Sequence, residues 1–492
     1  MIRQHLTFQN LGLAYLASPF ILFYLFWLEL WFSVPVLVAL FIAFRFTQPR
    51  RGEDKVENHS VGLKAILSSA LVAIIWVFFA GYFGVVFGLT PDWNDLRADL
   101  YSTLIHFSWP VSFSEVGGGE ERFLLSVPGF YLVPAAVSKI LGLSGTPAQW
   151  VMASWMLAGI ALVFGYIVQK FSRVSEQVTA LLIFVMFSGL DSIGALLTQA
   201  DPVGYLLTGG HLEPWSGTVQ FSSSTTLLFW VPHHALSSWI GVAILDRARN
   251  TSKLVGVTIL LVPLTYLWST FSSIGLILVA ILVFGFDRKL ELANLVKAIP
   301  LSVLAAVALV PVHAYYVRRT SVPRKLWWFF SERAFINFGI EGITRADIVA
   351  RYALFVSLEF GIWIAIGLIL KVSKWELALT GVVLVFVSQV VSFRSSDFTM
   401  RASIAPMFLL SVLLLPPITK LVITDGRRAL KSTIILLLAV MSWTAVTEVI
   451  ENYRRGPNKI QAPCVLGGCD SVLTPLEDGT FATSSKPLLF RD

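Results

Sequence analysis

Long, uninterrupted apolar runs set the fold of this chain. Stretches such as 64–88 and 403–424 hold about 15 to 25 residues without the polar alternation of a barrel strand. Backbone amides cannot stay unpaired in hydrocarbon, and a helix satisfies them within one segment. The sequence is 56% hydrophobic and 14% charged, with a mean hydropathy of +0.74, which lies outside the soluble range. We therefore expect an all-α, polytopic membrane protein.

The apolar runs predict about thirteen membrane helices, with interfacial helices in the outer loops. The predicted spans lie near 11–28, 30–44, 64–88, 149–169, 177–190, 227–245, 254–269, 272–286, 298–316, 352–370, 377–391, 403–424 and 432–449. Two regions have alternative interpretations. The stretch Leu254–Phe286 is either one overlong helix or two short ones. The stretch Arg122–Leu143 contains Pro128 and Pro134 and either lies at the outer interface or re-enters partway.

Basic residues in short loops predict the orientation, because cytoplasmic loops are enriched in Lys and Arg. One topology puts every short basic loop inside if Leu254–Phe286 is a hairpin. It gives a transmembrane domain over 1–450 and a small extracytoplasmic tail over 451–492. The outer loops are then 89–148, 191–226, 317–351 and 392–402. The formal net charge of +7 fits basic loops that are retained on the cytoplasmic side together with residues that bind an anion. No nucleic-acid partner is expected.

Three aspartates follow the apolar run 64–88 directly: Asp92, Asp95 and Asp99. On a helix that starts near Trp93, Asp95 and Asp99 share a face and Asp92 takes the cap position. One interpretation is a cap with two solvated carboxylates. The other is a catalytic base at the membrane exit, since sugar transfer to a hydroxyl needs a group that accepts a proton.

Outer arginines break the positive-inside tendency between Tyr315 and Arg351, where Arg318, Arg319 and Arg333 stand. Either the topology is wrong there or these cations hold an anion. A guanidinium group matches phosphate oxygens in a bidentate way, so a lipid-linked phosphate is the natural candidate.

A second cationic site is predicted in the polar island 392–403, which contains Arg394 and Arg401. One interpretation is a turn in which Asp397 pairs with Arg401 across one helical turn. The functional interpretation is that Arg394 or Arg401 enters the cavity and binds the phosphate, because ionisable groups at membrane depth usually face a cavity.

Two adjacent histidines, His233 and His234, stand in an apolar helix behind a hydroxyl-rich run. Neighbouring residues point about 100° apart on a helix, so the pair cannot ligate one metal as an i, i+4 pair does. We predict no metal site here. One histidine either donates a hydrogen bond to sugar or phosphate or makes a structural contact.

The two cysteines, Cys464 and Cys469, both lie in the tail. They are expected to form a disulfide in an oxidising compartment, and free thiols in a mobile tail are the alternative.

Three features of the sequence resemble the GT-C superfamily of integral membrane glycosyltransferases. They are an outer loop that opens with aspartate, a segment Phe130-Tyr131-Leu132-Val133-Pro134 that leads to Lys139, and later outer loops that contain arginine. The resemblance implies a polyprenyl-phosphate or pyrophosphate sugar donor, with Asp95 or Asp92 as the base and outer arginines on the donor phosphate. It also implies a bacterial inner or plasma membrane, with the active site on its periplasmic or extracellular side.

The spacing of the aspartates, Asp-x-x-Asp rather than Asp-x-Asp, departs from the family pattern and favours a reaction without a metal or other cofactor, although a divalent metal stays open. The small tail favours a lipid-linked or cell-envelope glycan as acceptor, with membrane lipids as further partners. Two rival functions remain: a polymerase or ligase for polyprenyl-pyrophosphate polysaccharides, and a membrane transporter or flippase.

Overall fold

The computed structural model describes residues 8–47, 69–74, 100–113, 122–124, 129–199, 201–208, 211–249, 251, 253–286, 296–317, 326–336, 340, 342–392, 397–424, 426–455 and 482–483. The fold is all-α, as the apolar runs predict, and the structure is 83% helical. The described strands are only two or three residues long.

The helices of the first half are α1 (Phe8–Trp27), α2 (Leu30–Thr47), α3 (Gly129–Ile140), α4 (Gly145–Val168), α5 (Val174–Val185), α6 (Asp191–Thr198), α7 (Pro202–Thr208), a 3₁₀ turn (Glu213–Ser216), α8 (Ser224–Trp230) and α9 (Pro232–Ala248). Those of the second half are α10 (Leu254–Tyr266), α11 (Thr270–Phe286), α12 (Ile299–Val317), α13 (Glu332–Ile336), α14 (Arg345–Val356), a π-helical turn (Ser357–Gly361), α15 (Ile362–Ile369), α16 (Lys374–Ser388), α17 (Asp397–Ala402), α18 (Ile404–Thr424) and α19 (Arg428–Arg455). The strands are β1 (Ser112–Phe113), β2 (Arg122–Leu124), β3 (Leu326–Trp328), β4 (Val390–Ser392) and β5 (Ala482–Thr483).

Six helices in the described part are long and apolar enough to cross a membrane, so the chain is an integral membrane protein. They are Phe8–Trp27, Gly145–Val168, Ile299–Tyr316, Arg345–Ile369, Ile404–Thr424 and Arg428–Glu451. Five further apolar helices have 10 to 17 residues. The predicted count of about thirteen is not confirmed: several apolar runs form shorter helices, and most of the run 64–88 lies outside the described residues.

Two of the predicted spans show how such runs are divided. The run 177–190 leaves regular helical geometry after Val185 and continues as an irregular segment into α6. The run 227–245 breaks at Val231, between α8 and α9, because Pro232 has no amide hydrogen and its ring excludes a regular helix through that point. The stretch Leu254–Phe286 forms two helices, α10 and α11, which pack against each other.

Ion pairs connect three helix ends. The ammonium group of Lys170, just after α4, lies 2.9 Å from Oδ2 of Asp246 in α9. Arg249, which follows α9, pairs with Glu376 in the first turn of α16. These contacts bring the basic segments at 170, 247–253 and 371–374 to one end of the helix bundle.

Short strands and a side-chain contact join the segments at the other helix ends. Phe123 of β2 is paired with Thr483 of β5, which joins the 89–148 segment to the tail. Trp328 of β3 is paired with Val390 of β4, next to the 392–402 segment. Gly217 lies against the side chain of Ile340, where an added methyl group would collide. The segments predicted to lie on one side thus form two sets of contacts: 89–148 with the tail, and 191–226, 317–351 and 392–402 with one another.

Aromatic side chains from distant helices form the centre of the core. The rings of Tyr15 in α1 and Trp155 in α4 stack with centroids 4.0 Å apart, and Trp268 packs against both. The indole of Trp268 donates a hydrogen bond of 3.1 Å to the carbonyl of Leu16. This core fixes the break between α10 and α11 against α1, and the candidate site is built around that break.

Candidate active site and a buried acid–histidine cluster

The acidic run Asp92, Asp95 and Asp99 lies outside the described residues, but the chain that follows it directly is described. Residues 100–106 are helical, and Leu104 is fully buried. The hydroxyl of Tyr101 lies 3.0 Å from Ser138 Oγ and donates a 2.8 Å hydrogen bond to the carbonyl of Ala148. The helical residues 100–106, which follow Asp99 in the chain, are therefore anchored to α3 and α4.

Helix α3 also contacts the histidine pair. The rings of Phe130 and Tyr131 each lie with their centroids 6.3 Å from that of His233. The rings of His233 and His234 are 3.8 Å apart, and both residues are buried in the first turn of α9. Pro232 starts this turn and so fixes where the two imidazoles enter the core.

The break between α10 and α11 lies against the start of α3. A side chain at Gly129 would come within 2.6 Å of the carbonyl oxygen of Leu267, so only glycine permits this approach. The rings of Phe130 and Trp268 are 5.8 Å apart. Three residues beyond the break, Phe271 packs edge-on against Phe398 of α17, with centroids 5.3 Å apart.

Arg401 lies on α17 and forms the ion pair that one of the two interpretations predicts. Its guanidinium Nη2 donates to Oδ1 of Asp397 at 2.9 Å, across one helical turn. The hydroxyl of Thr399 donates to the carbonyl of Val390, which fixes α17 on β4. The Arg401 side chain is 20% exposed, so this ion pair is largely shielded from solvent.

Arg333 is exposed on α13, which follows β3 directly. Since β3 pairs with β4, the segments that carry Arg333 and Arg401 extend from one small sheet. Arg394, Arg318 and Arg319 lie outside the described residues, as do Cys464 and Cys469. In the described part of the chain, no group of three or more His, Cys, Asp and Glu side chains has the geometry of a metal site.

The structure also contains an acid–histidine cluster that the sequence analysis did not predict. It consists of Asp191, His211, Glu213, Glu359 and Glu448. The four carboxyl groups come from α6, the 3₁₀ turn, the π-helical turn and the last turns of α19. All four acidic residues are at most 1% exposed.

Hydrogen bonds from protein groups hold Glu213 and Glu448. Oε1 of Glu213 accepts from the backbone amide of Ser223 at 2.7 Å, and Oε2 accepts from the side-chain amide of Gln220 at 2.8 Å. Glu448 accepts from the indole of Trp230 at 2.9 Å. These bonds compensate in part for removing the carboxylates from water.

His211 connects the two glutamates. Its Nδ1 lies 2.5 Å from Oε1 of Glu448, and its Nε2 is 3.1 Å from Gln220 Nε2 and 4.0 Å from Oε2 of Glu213. Burial lowers the pKa of His211, but the carboxylates of Glu448, Glu213 and Asp191 raise it by a larger amount, so that the resulting pKa is about 9. Burial raises the pKa of Glu213 to about 7. The cluster can therefore bind and release protons near neutral pH.

One sequence signal could have revealed this cluster. Glu359 and Glu448 are acidic residues within the long apolar helices Arg345–Ile369 and Arg428–Glu451. Ionisable residues within such spans are costly and usually have a buried partner. The partners, however, stand up to 237 positions away, as for His211 and Glu448, and no short motif connects them.

No family model matches the chain, no curated protein matches it, and no solved structure matches it. The functional argument therefore rests on the residues and their contacts.

Proposed function

We propose that this membrane protein is a glycosyltransferase of the GT-C type. It moves a sugar from a polyprenyl-phosphate-linked donor to a lipid-linked or cell-envelope glycan, on the extracytoplasmic face of a bacterial inner or plasma membrane. Asp95, or its neighbours Asp92 and Asp99, accepts the proton of the attacking hydroxyl. Arg401 and the outer arginines neutralise the departing phosphate.

One observation supports this proposal most strongly. The helix that follows Asp99 is anchored on α3, and α3 contacts both His233 and the break at Trp268. The same break leads to Phe271, which packs on the helix that carries Arg401. The described chain that follows the predicted base and the helix that carries Arg401 thus both contact one continuous set of packed side chains.

The imidazoles of His233 and His234 supply hydrogen bonds to the donor. They are buried beside Phe130 and Tyr131 of α3, and Phe130 also contacts the break at Trp268. In this proposal the histidines orient the sugar and the arginines hold its phosphate.

A transfer assay tests the proposal. Purified protein in liposomes is given radiolabelled undecaprenyl-phosphate glucose, and then other undecaprenyl-phosphate sugars, with a membrane lipid extract as acceptor. Asp95→Asn should lower turnover about 10²- to 10⁴-fold, the usual contribution of a general base. Arg401→Ala should chiefly raise the KM for the donor. Asp347→Asn, at an exposed helix cap, is the matched control and should retain full turnover.

The assay separates the proposal from the rival polymerase or ligase. A polymerase that depends on arginine and histidine would lose activity in Arg401→Ala and keep it in all three variants Asp92→Asn, Asp95→Asn and Asp99→Asn. That second pattern would overturn the sugar-transfer proposal.

A proton-coupled transporter is the second candidate, and one observation favours it. Glu359 lies in the middle of the long apolar helix Arg345–Ile369, within a π-helical turn, and such turns are frequent at functional sites. Proton flux into liposomes under an imposed pH gradient distinguishes this candidate. A transporter would show a flux that Glu359→Gln abolishes, whereas the transferase would show none.

A further inference from the structure

The acid–histidine cluster has more negative charge than its partners can neutralise. It contains four buried carboxyl groups, and within the described part of the chain the only cationic side chain that pairs with them is His211. Several buried carboxylates with one positive charge would be strongly destabilising. The cluster must therefore hold at least one proton on a carboxyl group.

The contacts identify where that proton lies. Oδ2 of Asp191 accepts from the hydroxyls of Ser188 at 2.6 Å and Thr444 at 2.9 Å, and Oε1 of Glu359 accepts from the indole of Trp215 at 2.8 Å. The remaining oxygens, Asp191 Oδ1 and Glu359 Oε2, are buried and accept from no other described residue. Yet the two carboxyl groups are within hydrogen-bonding contact of each other. A single proton shared by the two carboxyl groups gives each of them a hydrogen-bond partner in the other.

The same two residues join two parts of the backbone. The amide of Leu190 donates a 3.0 Å hydrogen bond to the carbonyl of Leu358, in the π-helical turn. The indole of Trp363 donates to the carbonyl of Ser188 at 3.1 Å. The segment 186–191, where the chain leaves α5, is thus fixed on the helix Arg345–Ile369 beside the carboxyl pair.

We propose that Asp191 and Glu359 form a proton-binding site, and that the bound proton fastens the segment 186–223 to the helix Arg345–Ile369. When the proton leaves, two adjacent carboxylates remain, and among the described residues only His211 offers the cluster a positive charge; their repulsion separates the two parts. This inference is independent of the proposed sugar transfer.

Other titratable groups surround the pair and set how readily the proton leaves. Glu213 comes from the 3₁₀ turn, His211 from the residues before it, and Glu448 from α19. Tyr205 of α7 donates its hydroxyl to the carbonyl of His211. A positive charge on His211 favours release of the proton, while ionised Glu213 and Glu448 oppose it.

Infrared difference spectroscopy during a pH titration of the full chain in detergent tests the proposal. A protonated carboxyl group gives a C=O stretching band that a carboxylate lacks. Above the pKa of Glu213, which is about 7, we expect the wild-type protein still to show such a band, and expect Glu359→Gln and Asp191→Asn each to remove or shift it. Glu376→Gln is the matched control, because Glu376 is also buried but pairs with Arg249, and it should leave the band unchanged.

Hydrogen exchange gives a second readout. An amide at position 359 can donate to Asp191 permanently, so Glu359→Gln mimics the protonated pair. After correction for intrinsic rates, exchange in 186–199 and 211–223 should rise at least tenfold at high pH in the wild type and stay constant in Glu359→Gln. Should both variants keep the wild-type band, or should Glu359→Gln show the same pH-dependent rise, the proposal would be overturned.

Discussion

The imidazole Nδ1 of His211 lies 2.5 Å from Oε1 of Glu448, although 237 residues separate them in the chain. The other oxygen of Glu448 accepts from the indole of Trp230, whose ring packs on His211 with centroids 5.1 Å apart. This three-residue contact attaches the end of α19 to the 3₁₀ region and to α8. Residues that stand far apart in the sequence thus hold the polar region of the molecule together.

Removing Glu448 should be strongly destabilising. The Glu448→Ala variant leaves the indole of Trp230 without its acceptor and His211 without its closest carboxylate, and breaking a buried pair costs about 3–5 kcal/mol. We expect a loss of about 3 kcal/mol, measured as the free energy of unfolding in an SDS titration. Glu448→Gln keeps an acceptor for Trp230 and should lose less. Glu451→Ala, on the same helix, is the control, and a loss equal to that of Glu448→Ala would contradict the prediction.

The stability of the protein should fall as the pH rises from about 5 to about 9. The pKa values of Glu213 and His211 are about 7 and about 9, both above their ordinary values of 4.5 and 6.5. The folded state therefore binds protons more tightly than the unfolded state, and this stabilisation is lost as the pH passes through the folded pKa values. One pKa unit corresponds to about 1.4 kcal/mol, and the coupled groups together give a loss on the order of 3 kcal/mol.

Thermal unfolding in buffered detergent at a series of pH values checks this. The Glu213→Gln variant should flatten the lower part of the profile, near pH 7, and His211→Gln the upper part, near pH 9. A stability that rises with pH across this range, or an unchanged upper part in His211→Gln, would show that the cluster does not titrate in this way.

Hydrophobic runs predicted the helices well where a run was continuous. The run 403–424 corresponds to α18 (Ile404–Thr424), and the run 149–169 to most of α4. In these segments the need to pair backbone amides in hydrocarbon decides the structure locally. Prediction from hydropathy was less successful at 177–190 and 227–245, where the chain leaves helical geometry to place polar groups in the interior.

The candidate site was only partly predictable, for a related reason. His233, His234 and Arg401 stand out because they are polar residues in apolar surroundings. Glu359 has the same property, but its role depends on Asp191 and Trp215, which come from a different part of the chain. Such pairings depend on how the helices pack against one another. A single sequence does not show which helices are neighbours in the fold.

Gly189 should tolerate no larger side chain. A methyl group there would collide with the carboxyl group of Glu359 and lie 3.0 Å from its Cα atom. Because backbone atoms are involved, the neighbouring helix must shift, and we expect Gly189→Ala to cost about 1–3 kcal/mol in the free energy of unfolding.

Gly165→Ala in α4 is the control: the added methyl meets no atom within 4 Å, and alanine is favoured in a helix by about 1 kcal/mol. Equal effects of the two substitutions would contradict the argument.

Ser144 and Ser172 should be labelled from opposite sides of the membrane. They flank α4, whose 24 residues rise about 36 Å, more than the hydrocarbon thickness of about 30 Å, and both side chains are exposed. Single-cysteine variants Ser144→Cys and Ser172→Cys, made after Cys464 and Cys469 are replaced by serine, are treated with a membrane-impermeant maleimide in intact cells and in inverted vesicles. We expect Ser144→Cys to react in intact cells and Ser172→Cys in inverted vesicles, because Lys170 and Arg173 predict that this end of α4 is cytoplasmic. Reaction of both from one side would mean that α4 does not cross the membrane. The reverse pattern would put the acid–histidine cluster and Arg401 on the cytoplasmic side and exclude an extracytoplasmic sugar transfer.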